Sequence, residues 1–459
     1  MSHEDLKSQR PRLCVVHCVD TEGPLWESDE ATRERLAQIL GSEVVSRAAS
    51  LAELRTGVGV PEEKRAAVNA LLTPELMAYK RDWTELDEML GELFSREWRD
   101  ARRDDFGQGY CFNWFTMDHV GFTRNPRRRA MGFHLIFEHY QRWLARAPHA
   151  RDAIYWHYHP VAFDFQGHKC SCNYSFTAHH LEVLSRRIID HLHFPAANRP
   201  GQHTERPDIS FFLEMWIPFD FANQACDDSA FDAAQQDISG GRFGDWRRAP
   251  RIWGHYHPDL YDYQKPGAMR RYIYRCLNVG SRLRHVQPGD VREALKQARE
   301  KGVAVLAIAT HDFREMRGDT DRFLSMIKDV RDEFPDVAIE YTDAVTAARL
   351  EAKLPAEEPL RLEAALTGKS VTVTASKPVW GAQPFFCIRT TDGRYLHENL
   401  DFHGGQKWSF TFDDLTLPLD VIDTLGFAAN DAIGQTHVVR LPVRDGKVED
   451  RFWNLASTR

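Results

Sequence analysis

Four short apolar runs, each followed closely by acidic or histidine side chains, constrain the fold of this chain more than any other feature. The first run, Leu13 to Val19, leads into two acids, Asp20 and Glu22. Apolar runs of this length that end in polar residues predict buried strands. The other three have the same form: Cys111 to Phe115 precedes Asp118, Ala153 to Trp156 precedes His157, and Val303 to Ala309 precedes His311.

Segments with helical spacing separate these runs. Alternating strands and helices predict an α/β protein in which helices cover a mostly parallel sheet or a distorted (β/α) barrel. In such folds the carboxyl ends of the strands carry the chemistry, so the polar residues after the four runs are expected on one rim. The helical segments are Met131 to Ala145, Ala178 to His191, Asp290 to Lys301 and Asp321 to Glu333.

The chain divides into two predicted domains. Residues 1–354 are expected to form the barrel, with residues 28–105 as a helical insertion because their apolar residues recur at helical spacing. A linker lies near residue 355. Beyond it, residues 358–459 alternate short strands with turn dipeptides such as Asp392-Gly393, which predicts an antiparallel β-sandwich.

Charge and hydropathy exclude several classes of protein. Lys and Arg number 59 against 67 Asp and Glu, a net charge of −8, so no nucleic-acid partner is expected. No apolar stretch approaches the roughly 18–20 residues that span a bilayer, and the amino terminus lacks the apolar core of a signal peptide. The eight cysteines form no paired C-x-x-C knuckles, which indicates reduced thiols. We expect a cytoplasmic protein.

A metal site is the chemistry that the rim residues suggest. His157 and His159, one residue apart after a strand, together with a carboxylate from the Asp20-Thr21-Glu22 segment, would supply two histidines and one acid for a divalent ion. His311 would lie on the same rim as a proton donor. The alternatives are turn capping for the acids, opposite faces of a strand for the two histidines, and a structural role for His311.

Two other groups compete for the role of metal ligands. The string His255-Tyr256-His257-Pro258 repeats the string at residues 157–160, which makes His255 and His257 rival ligands. His157 and His159 are preferred because their strand comes earlier in the chain, next to the first acids. The second group is His168, Cys170 and Cys172, for which no fourth ligand is apparent, so ordinary thiols are favoured there.

With these residues in place, the chain resembles the polysaccharide deacetylase family of carbohydrate esterases, also called the NodB-homology family, over roughly residues 12–350 without the insertion. The resemblance implies a distorted β/α barrel with Asp20 as base, Glu22, His157 and His159 as metal ligands, and His311 as acid. Thr21 separates the two acids, and the histidines are closer than is usual, so Asp20 as a ligand and an indirect role for one histidine stay open. The arginine that holds the base in this family cannot be picked out from the sequence.

The resemblance implies a metal-dependent hydrolase, with zinc as the expected ion, that removes an N-acyl group from an amino sugar. A short group, formyl or acetyl, is expected because bulky aromatic residues lie near the candidate site, namely Trp114, Tyr155, Trp156 and Trp216. Without a signal peptide, the substrate would be a cytoplasmic nucleotide-linked or lipid-linked precursor of a surface polysaccharide. The alternatives are a carbohydrate-binding protein on a degenerate barrel and a hydrolase of a non-sugar amide. The sugar and the oligomeric state stay open. The residues predicted to bind the substrate are Trp114, Asp118, Glu214, Trp216 and Asp220.

Overall fold

A closed barrel of seven parallel strands forms the first part of the protein. The computed structural model describes residues 10–118, 120, 132–159, 179–203, 205, 207–226, 244–281, 284–444 and 446–455. Around the barrel the strands pair in the order β1-β2-β3-β4-β5-β7-β8 and back to β1. They are β1 (Arg12–Thr21), β2 (Phe112–Met117), β3 (Ala153–His157), β4 (Ala197–Asn198), β5 (Phe219–Asn223), β7 (Tyr272–Asn278) and β8 (Val303–His311).

Two further strands extend the barrel sheet. The short β6 (His255–Tyr256) pairs antiparallel with β7, and β9 (Ala338–Tyr341) pairs with the first half of β1. The second half of β1 pairs with β2 instead, and this pairing closes the barrel. The expectation of an α/β fold with a parallel barrel is confirmed.

Side-chain alternation along the strands places the predicted site residues inside the barrel. On β1 the even-numbered residues Cys14, Val16 and Cys18 fill the interior. Because successive side chains of a strand point to opposite faces, Asp20 continues this inward row. The same alternation applies to the other two strands. On β3 Tyr155 points into the barrel and His157 follows it two residues later, and on β8 His311 follows the inward-pointing Ala307 and Ala309. All three strands therefore deliver a polar side chain at their carboxyl ends.

Helices surround the barrel, and local signals account for their ends. Pro288 begins one helix next to a capping box of Gln287 and Asp290, and Asp343 caps another. No helix in the part of the chain that the structure describes is long and apolar enough to cross a membrane. Outside the insertion the helices are α8 (Leu135–Arg146), α9 (His179–His191), α10 (Pro207–Trp216), α11 (Pro288–Lys301), α12 (Met316–Arg331) and α13 (Ala344–Glu351).

The segment between β1 and β2 is helical, as expected, and it has two parts. One helix near its end, Trp83–Leu93, packs into the apolar layer that covers the outside of the barrel through Leu86, Met89 and Leu90. The earlier helices share a small apolar cluster of their own, which includes Leu36 and Val68. The helices are α1 (Asp29–Leu40), α2 (Ser42–Arg47), α3 (Leu51–Arg55), α4 (Glu62–Leu72), α5 (Pro74–Met77), α6 (Trp83–Leu93) and α7 (Arg96–Asp100).

Two antiparallel sheets make up the C-terminal part. One has the order β10-β11-β15-β14 and the other β13-β12-β16-β17-β18. Side chains from both sheets, such as Val373, Phe386 and Phe427, share one buried cluster, so the sheets lie face to face. The strands are β10 (Leu362–Thr367), β11 (Ser370–Ala375), β12 (Phe385–Thr390), β13 (Tyr395–Glu398), β14 (Asp401–Phe402), β15 (Lys407–Thr411), β16 (Ile422–Asn430), β17 (Thr436–Pro442) and β18 (Glu449–Trp453).

The outer face of the five-stranded sheet packs against helix α9 of the barrel. Phe385 and Cys387 alternate with the sandwich-facing Phe386 and point to this second interface. Gly426 on β16 lies against α9 at this interface. A Cβ atom added there would be 2.7 Å from both Cys387 Sγ and Ile188 Cγ2.

Gly426→Ala is therefore expected to destabilise the protein. The added methyl group has no room between the sheet and α9, and overpacking of this kind costs about 1–3 kcal/mol of the free energy of unfolding. Urea unfolding of the variant measures this loss. Gly318→Ala is the control, since no atom lies within 4 Å of its added Cβ. Equal midpoints for the two variants would contradict the tight packing described here.

Candidate metal centre

Three buried side chains converge at the carboxyl end of the barrel. Glu22, His157 and His159 each offer one ligand atom, and these atoms all lie within 4.8 Å of one another. Glu22 follows β1 directly, and the two histidines come from the end of β3 and the residues after it. The structure thus brings together the three residues that the sequence analysis predicted as ligands.

The two histidines are oriented as metal ligands would be. His157 Nδ1 lies 2.7 Å from the carbonyl oxygen of Arg199, and because a carbonyl only accepts, this nitrogen carries the hydrogen. The Nε2 lone pair of His157 therefore faces His159, whose own Nε2 is 3.1 Å away. In a tetrahedral zinc site the ligand nitrogens lie about 3.3 Å apart, at zinc–nitrogen distances of about 2.0–2.1 Å.

The donor set fits a catalytic divalent ion rather than a structural one. Two neutral imidazoles and one carboxylate leave a coordination position for water or substrate, whereas structural zinc sites use four protein ligands. A backbone carbonyl that fixes the tautomer of a histidine, as at His157, is a common support for such ligands. The residues present therefore fit the predicted ion.

Asp20 lies beside this cluster and is held by an arginine that the sequence analysis did not identify. Arg199 Nε donates to Asp20 Oδ1 at 2.7 Å, and its Nη1 donates to the carbonyl oxygen of Phe221 at 2.9 Å. Arg199 is fully buried, and Asp20 is 2% exposed. Arg199 comes directly after β4, and the same residue supplies the carbonyl that orients His157.

The surroundings keep Asp20 ionised. Burial alone would raise the pKa of Asp20, but the guanidinium of Arg199, together with His157 and His311, outweighs burial and holds the pKa below its usual value. A carboxylate in this state is an acceptor for protons and hydrogen bonds only. Its Oδ1 is 3.5 Å from His157 Nδ1.

His311 completes the polar rim. Its Nε2 atom lies 3.8 Å from Asp20 Oδ2 and 3.9 Å from Glu22 Oε1. Burial lowers the pKa of His311 to about 3, with further lowering by Arg314 and Arg199 that the nearby Asp20 only partly offsets. The ring is therefore neutral at rest and carries one N–H. Its side chain keeps 18% of its surface exposed, so it can be reached from outside the barrel.

A glycine makes room for one of the predicted ligands. The peptide N–H of Gly201 donates to the Tyr158 carbonyl at 2.7 Å, which brings this backbone against the neighbouring ring of His159. A Cβ atom at residue 201 would overlap the His159 ring. Since the ring has a protein backbone on this side, its position depends on the absence of a side chain at residue 201.

Gly201→Ala is expected to push His159 out of the cluster and to weaken the binding of a divalent ion. Changes in the support of metal ligands typically cost about 10–100-fold in affinity, and direct displacement of a ligand belongs at the upper end. Competition titration with a zinc chelator measures the change. In the control Gly289→Ala, the new Cβ meets no atom within 4 Å. Unchanged zinc affinity in Gly201→Ala would show that His159 is not a ligand.

Two of the predicted substrate-binding residues lie on or just after β2: Asp118 lines a cavity together with the predicted ligand His159, and Trp114 lies outside the barrel interior. Asp118 is buried in an ion pair with Arg187, at 2.9 and 3.0 Å, and accepts a hydrogen bond from Trp156 Nε1 at 3.2 Å. Trp114 is fully buried in the outer apolar layer and stacks on Tyr140. Both side chains already have protein partners.

The other three predicted substrate-binding residues also contact protein groups. Glu214 on α10 accepts from the peptide nitrogens of Arg270 and Arg271 at 2.6 and 3.0 Å. Trp216 packs on Phe385 in the interface with the C-terminal sheet. Asp220 is fully buried, and burial, reinforced by Glu205, raises its pKa well above the usual value despite the nearby Arg271. None of the three joins the described cluster.

The rival histidines lie elsewhere in the fold. His255 Nδ1 is 2.6 Å from Glu351 Oε2 at the end of α13, and His257 Nδ1 contacts the carbonyl oxygens of Arg270 and Arg271. Both rings pack on Tyr272, the first residue of β7, so they lie toward the opposite end of the barrel. His168, Cys170 and Cys172 fall outside the described residues.

The arrangement combines a candidate ion site, an ionised carboxylate and a neutral histidine in one buried group that remains reachable at His311. Such a group can bind a divalent ion, accept a proton and donate one. No family model matches the chain, and no curated protein matches its sequence.

Proposed function

We propose that the chain is a metal-dependent hydrolase of the polysaccharide deacetylase type that removes a short N-acyl group from an amino sugar. The observation that carries this proposal is the grouping of Glu22, His157 and His159 within 4.8 Å, with Asp20 and His311 beside them. Zinc is the proposed ion. A cytoplasmic sugar precursor is the proposed substrate.

In the proposed reaction each side chain has one task. A divalent ion held by Glu22, His157 and His159 would polarise the amide carbonyl and lower the pKa of an attacking water. Asp20, which is ionised, accepts the proton of that water. His311, which is neutral at rest, first takes this proton from Asp20 and then delivers it to the amide nitrogen as the carbon–nitrogen bond breaks.

Arg199 and the spacing of the rim residues support these roles. Because Arg199 holds Asp20 Oδ1, it fixes which oxygen faces the site, and Oδ2 is the atom nearest to His311. The 3.8 Å between Asp20 Oδ2 and His311 Nε2 is longer than a hydrogen bond, as is common for catalytic groups before substrate binds. A proton accepted by Asp20 can pass to His311 once this gap closes.

The short acyl group is proposed from the resemblance to deacetylases alone. The aromatic residues that suggested it from the sequence, Trp114 and Trp216 among them, pack in apolar clusters away from the cluster of predicted ligands. Soluble N-formyl and N-acetyl amino sugars therefore belong in the same substrate panel. The panel also needs simple non-sugar amides of the same acyl groups.

Release of free amine from this panel tests the proposal. The purified chain, loaded with zinc or cobalt, is expected to release amine and carboxylate in equal amounts from at least one sugar. Binding of sugars without release would support the non-catalytic alternative. Release from the non-sugar amides alone would exclude the amino-sugar substrate while keeping the hydrolase.

A further inference from the structure

Asp312, the residue after His311, accepts three hydrogen bonds beside the site. Its Oδ1 accepts from the peptide nitrogen of Glu22 at 2.9 Å, and its Oδ2 accepts from the peptide nitrogen of Gly23 at 2.9 Å. The hydroxyl of Tyr140 donates to the same Oδ2 at 2.9 Å. The side chain is fully buried. Hydrogen bonds to a carboxylate are stronger than those between neutral groups, so Asp312 is expected to hold these three donors in place.

These bonds continue the pairing of β1 and β8 beyond the ends of the strands. Asp20 lies opposite His311 in the strand register, and the peptide nitrogen of Asp312 still reaches the carbonyl of Asp20, at 3.4 Å. Past that point the side chain of Asp312 replaces the backbone as acceptor for residues 22 and 23. The direction in which Glu22 leaves β1 is therefore set by one carboxylate.

Tyr140 ties the same carboxylate to the helical layer. This tyrosine lies on α8, is fully buried, and stacks on Trp114 of β2 with ring centroids 4.8 Å apart. Trp114 is held in turn through its Nε1, which donates to Asp152 at 2.8 Å. Tyr140 is thus held in place by Trp114, and its hydroxyl favours one orientation of the Asp312 carboxylate.

We propose that Asp312 is a positioning residue that sets where Glu22 stands relative to His311. In this role Asp312 contacts neither substrate nor ion. It holds the backbone of the predicted ligand Glu22 against the end of β8, which carries the predicted acid His311. This inference rests on the proposed metal centre for its functional meaning. Its structural half, that Asp312 holds the backbone of residues 22 and 23, stands independently of the ion.

The test uses Asp312→Asn, Tyr140→Phe and a matched control. An asparagine offers one oxygen and one amino group, so it can accept from only one of the two peptide nitrogens. Asp104→Asn is the control, because the Asp104 side chain is also buried and each of its oxygens also accepts from a peptide nitrogen, Oδ1 from Gln108 at 2.8 Å and Oδ2 from Tyr341 at 3.1 Å. It comes before β2, at the end of that strand away from the cluster, and it does not contact Trp114 or Tyr140 in the described hydrogen bonds.

Two readouts separate positioning from general stability. Cobalt titration followed by visible absorption is expected to show about 10–100-fold weaker binding and an altered spectrum for Asp312→Asn. Tyr140→Phe keeps both backbone bonds, so a smaller loss, under about tenfold, is expected. Amide hydrogen exchange without added metal is expected to become faster at residues 22 and 23 in Asp312→Asn. Asp104→Asn should change neither readout.

The outcomes distinguish the two levels of the proposal. Unchanged exchange at residues 22 and 23 together with unchanged cobalt affinity in Asp312→Asn would overturn the positioning role. A wild-type chain that binds no cobalt would overturn the metal centre, and the role of Asp312 would then be limited to holding the loop. Equal effects in Asp312→Asn and Asp104→Asn would show that Asp312 supports the fold in general and would overturn the positioning role.

Discussion

The purified chain is expected to contain about one zinc-like divalent ion, and the double variant His157→Ala/His159→Ala is expected to contain none. A site with three protein ligands cannot keep an ion when two of them lose their donor atoms. Both histidines are buried, and their Nε2 atoms face each other at 3.1 Å. Elemental mass spectrometry of the two proteins, after reloading with zinc and dialysis, measures the difference.

The chain provides its own control for this experiment. His255→Ala/His257→Ala changes the same residues in the same His-Tyr-His-Pro string. Because His255 pairs with Glu351 and packs on Tyr272, away from Asp20, this variant is expected to keep the ion. Loss of the ion in the control but not in the first variant would transfer the metal centre to the rival histidines. Absence of an ion from every protein, even after reloading, would favour the carbohydrate-binding alternative.

The parts of the fold that follow from the sequence are the strands with strong local signals. The apolar runs before Asp20, His157 and His311 became β1, β3 and β8, with ends within two residues of the expected ones. Their polar ends meet because the strands are parallel, which is why the amino-acid order alone could group Glu22 with the two histidines. The paired turn residues after the linker similarly indicated the antiparallel strands.

Other strands carry no such signal. β4 is two residues long, and Ala197 and Asn198 have no marked preference for strands. β5 and β7 each contain one charged residue among mostly apolar ones, Asp220 and Arg275, and both are buried beside a partner of opposite charge from outside their own strand. Contacts with distant parts of the chain stabilise these three strands, so the local sequence pattern does not predict them.

The same reason explains the missed arginine. Arg199 follows β4, the weakest strand of the barrel, and the chain has many arginines. Only the closed barrel shows that this guanidinium lies between Asp20 and Phe221. The short sequence Arg199-Pro200-Gly201, which joins a buried charge to a glycine needed by His159, would be the signal to look for.

For the aromatic and acidic residues predicted to bind substrate, position in the sequence does not determine which way the side chain points. Trp114, Trp216 and Asp220 stand close in sequence to rim residues, and from sequence their side chains cannot be assigned to the inside or the outside of the barrel. In the structure Trp114 and Asp220 point outward from their strands, and Trp216 ends a helix that packs on the C-terminal sheet. Proximity along the chain is a weak guide to proximity in the site.

Asp20→Asn is expected to abolish most of the hydrolysis while the ion stays bound. The amide of asparagine cannot accept the proton of the attacking water, and loss of a general base costs about 10²–10⁴-fold in rate. The ion is expected to stay because the proposed ligands are Glu22, His157 and His159, which this substitution leaves unchanged. Turnover of the best amino-sugar substrate and zinc content, both measured on the same preparation, check the two halves of this prediction.

Stability must be controlled in this experiment, because Asp20 also neutralises the buried Arg199. Breaking one partner of a buried ion pair typically costs about 3–5 kcal/mol. Asp152→Asn is the matched control: Asp152 is buried, pairs with the buried Arg99, and lies just before β3, at the end of that strand away from the cluster. It should lower the free energy of unfolding as Asp20→Asn does, but leave kcat within a few fold of the wild type. If Asp20→Asn loses zinc together with activity, Asp20 is a ligand, as the sequence left open. If it keeps wild-type turnover, another group is the base.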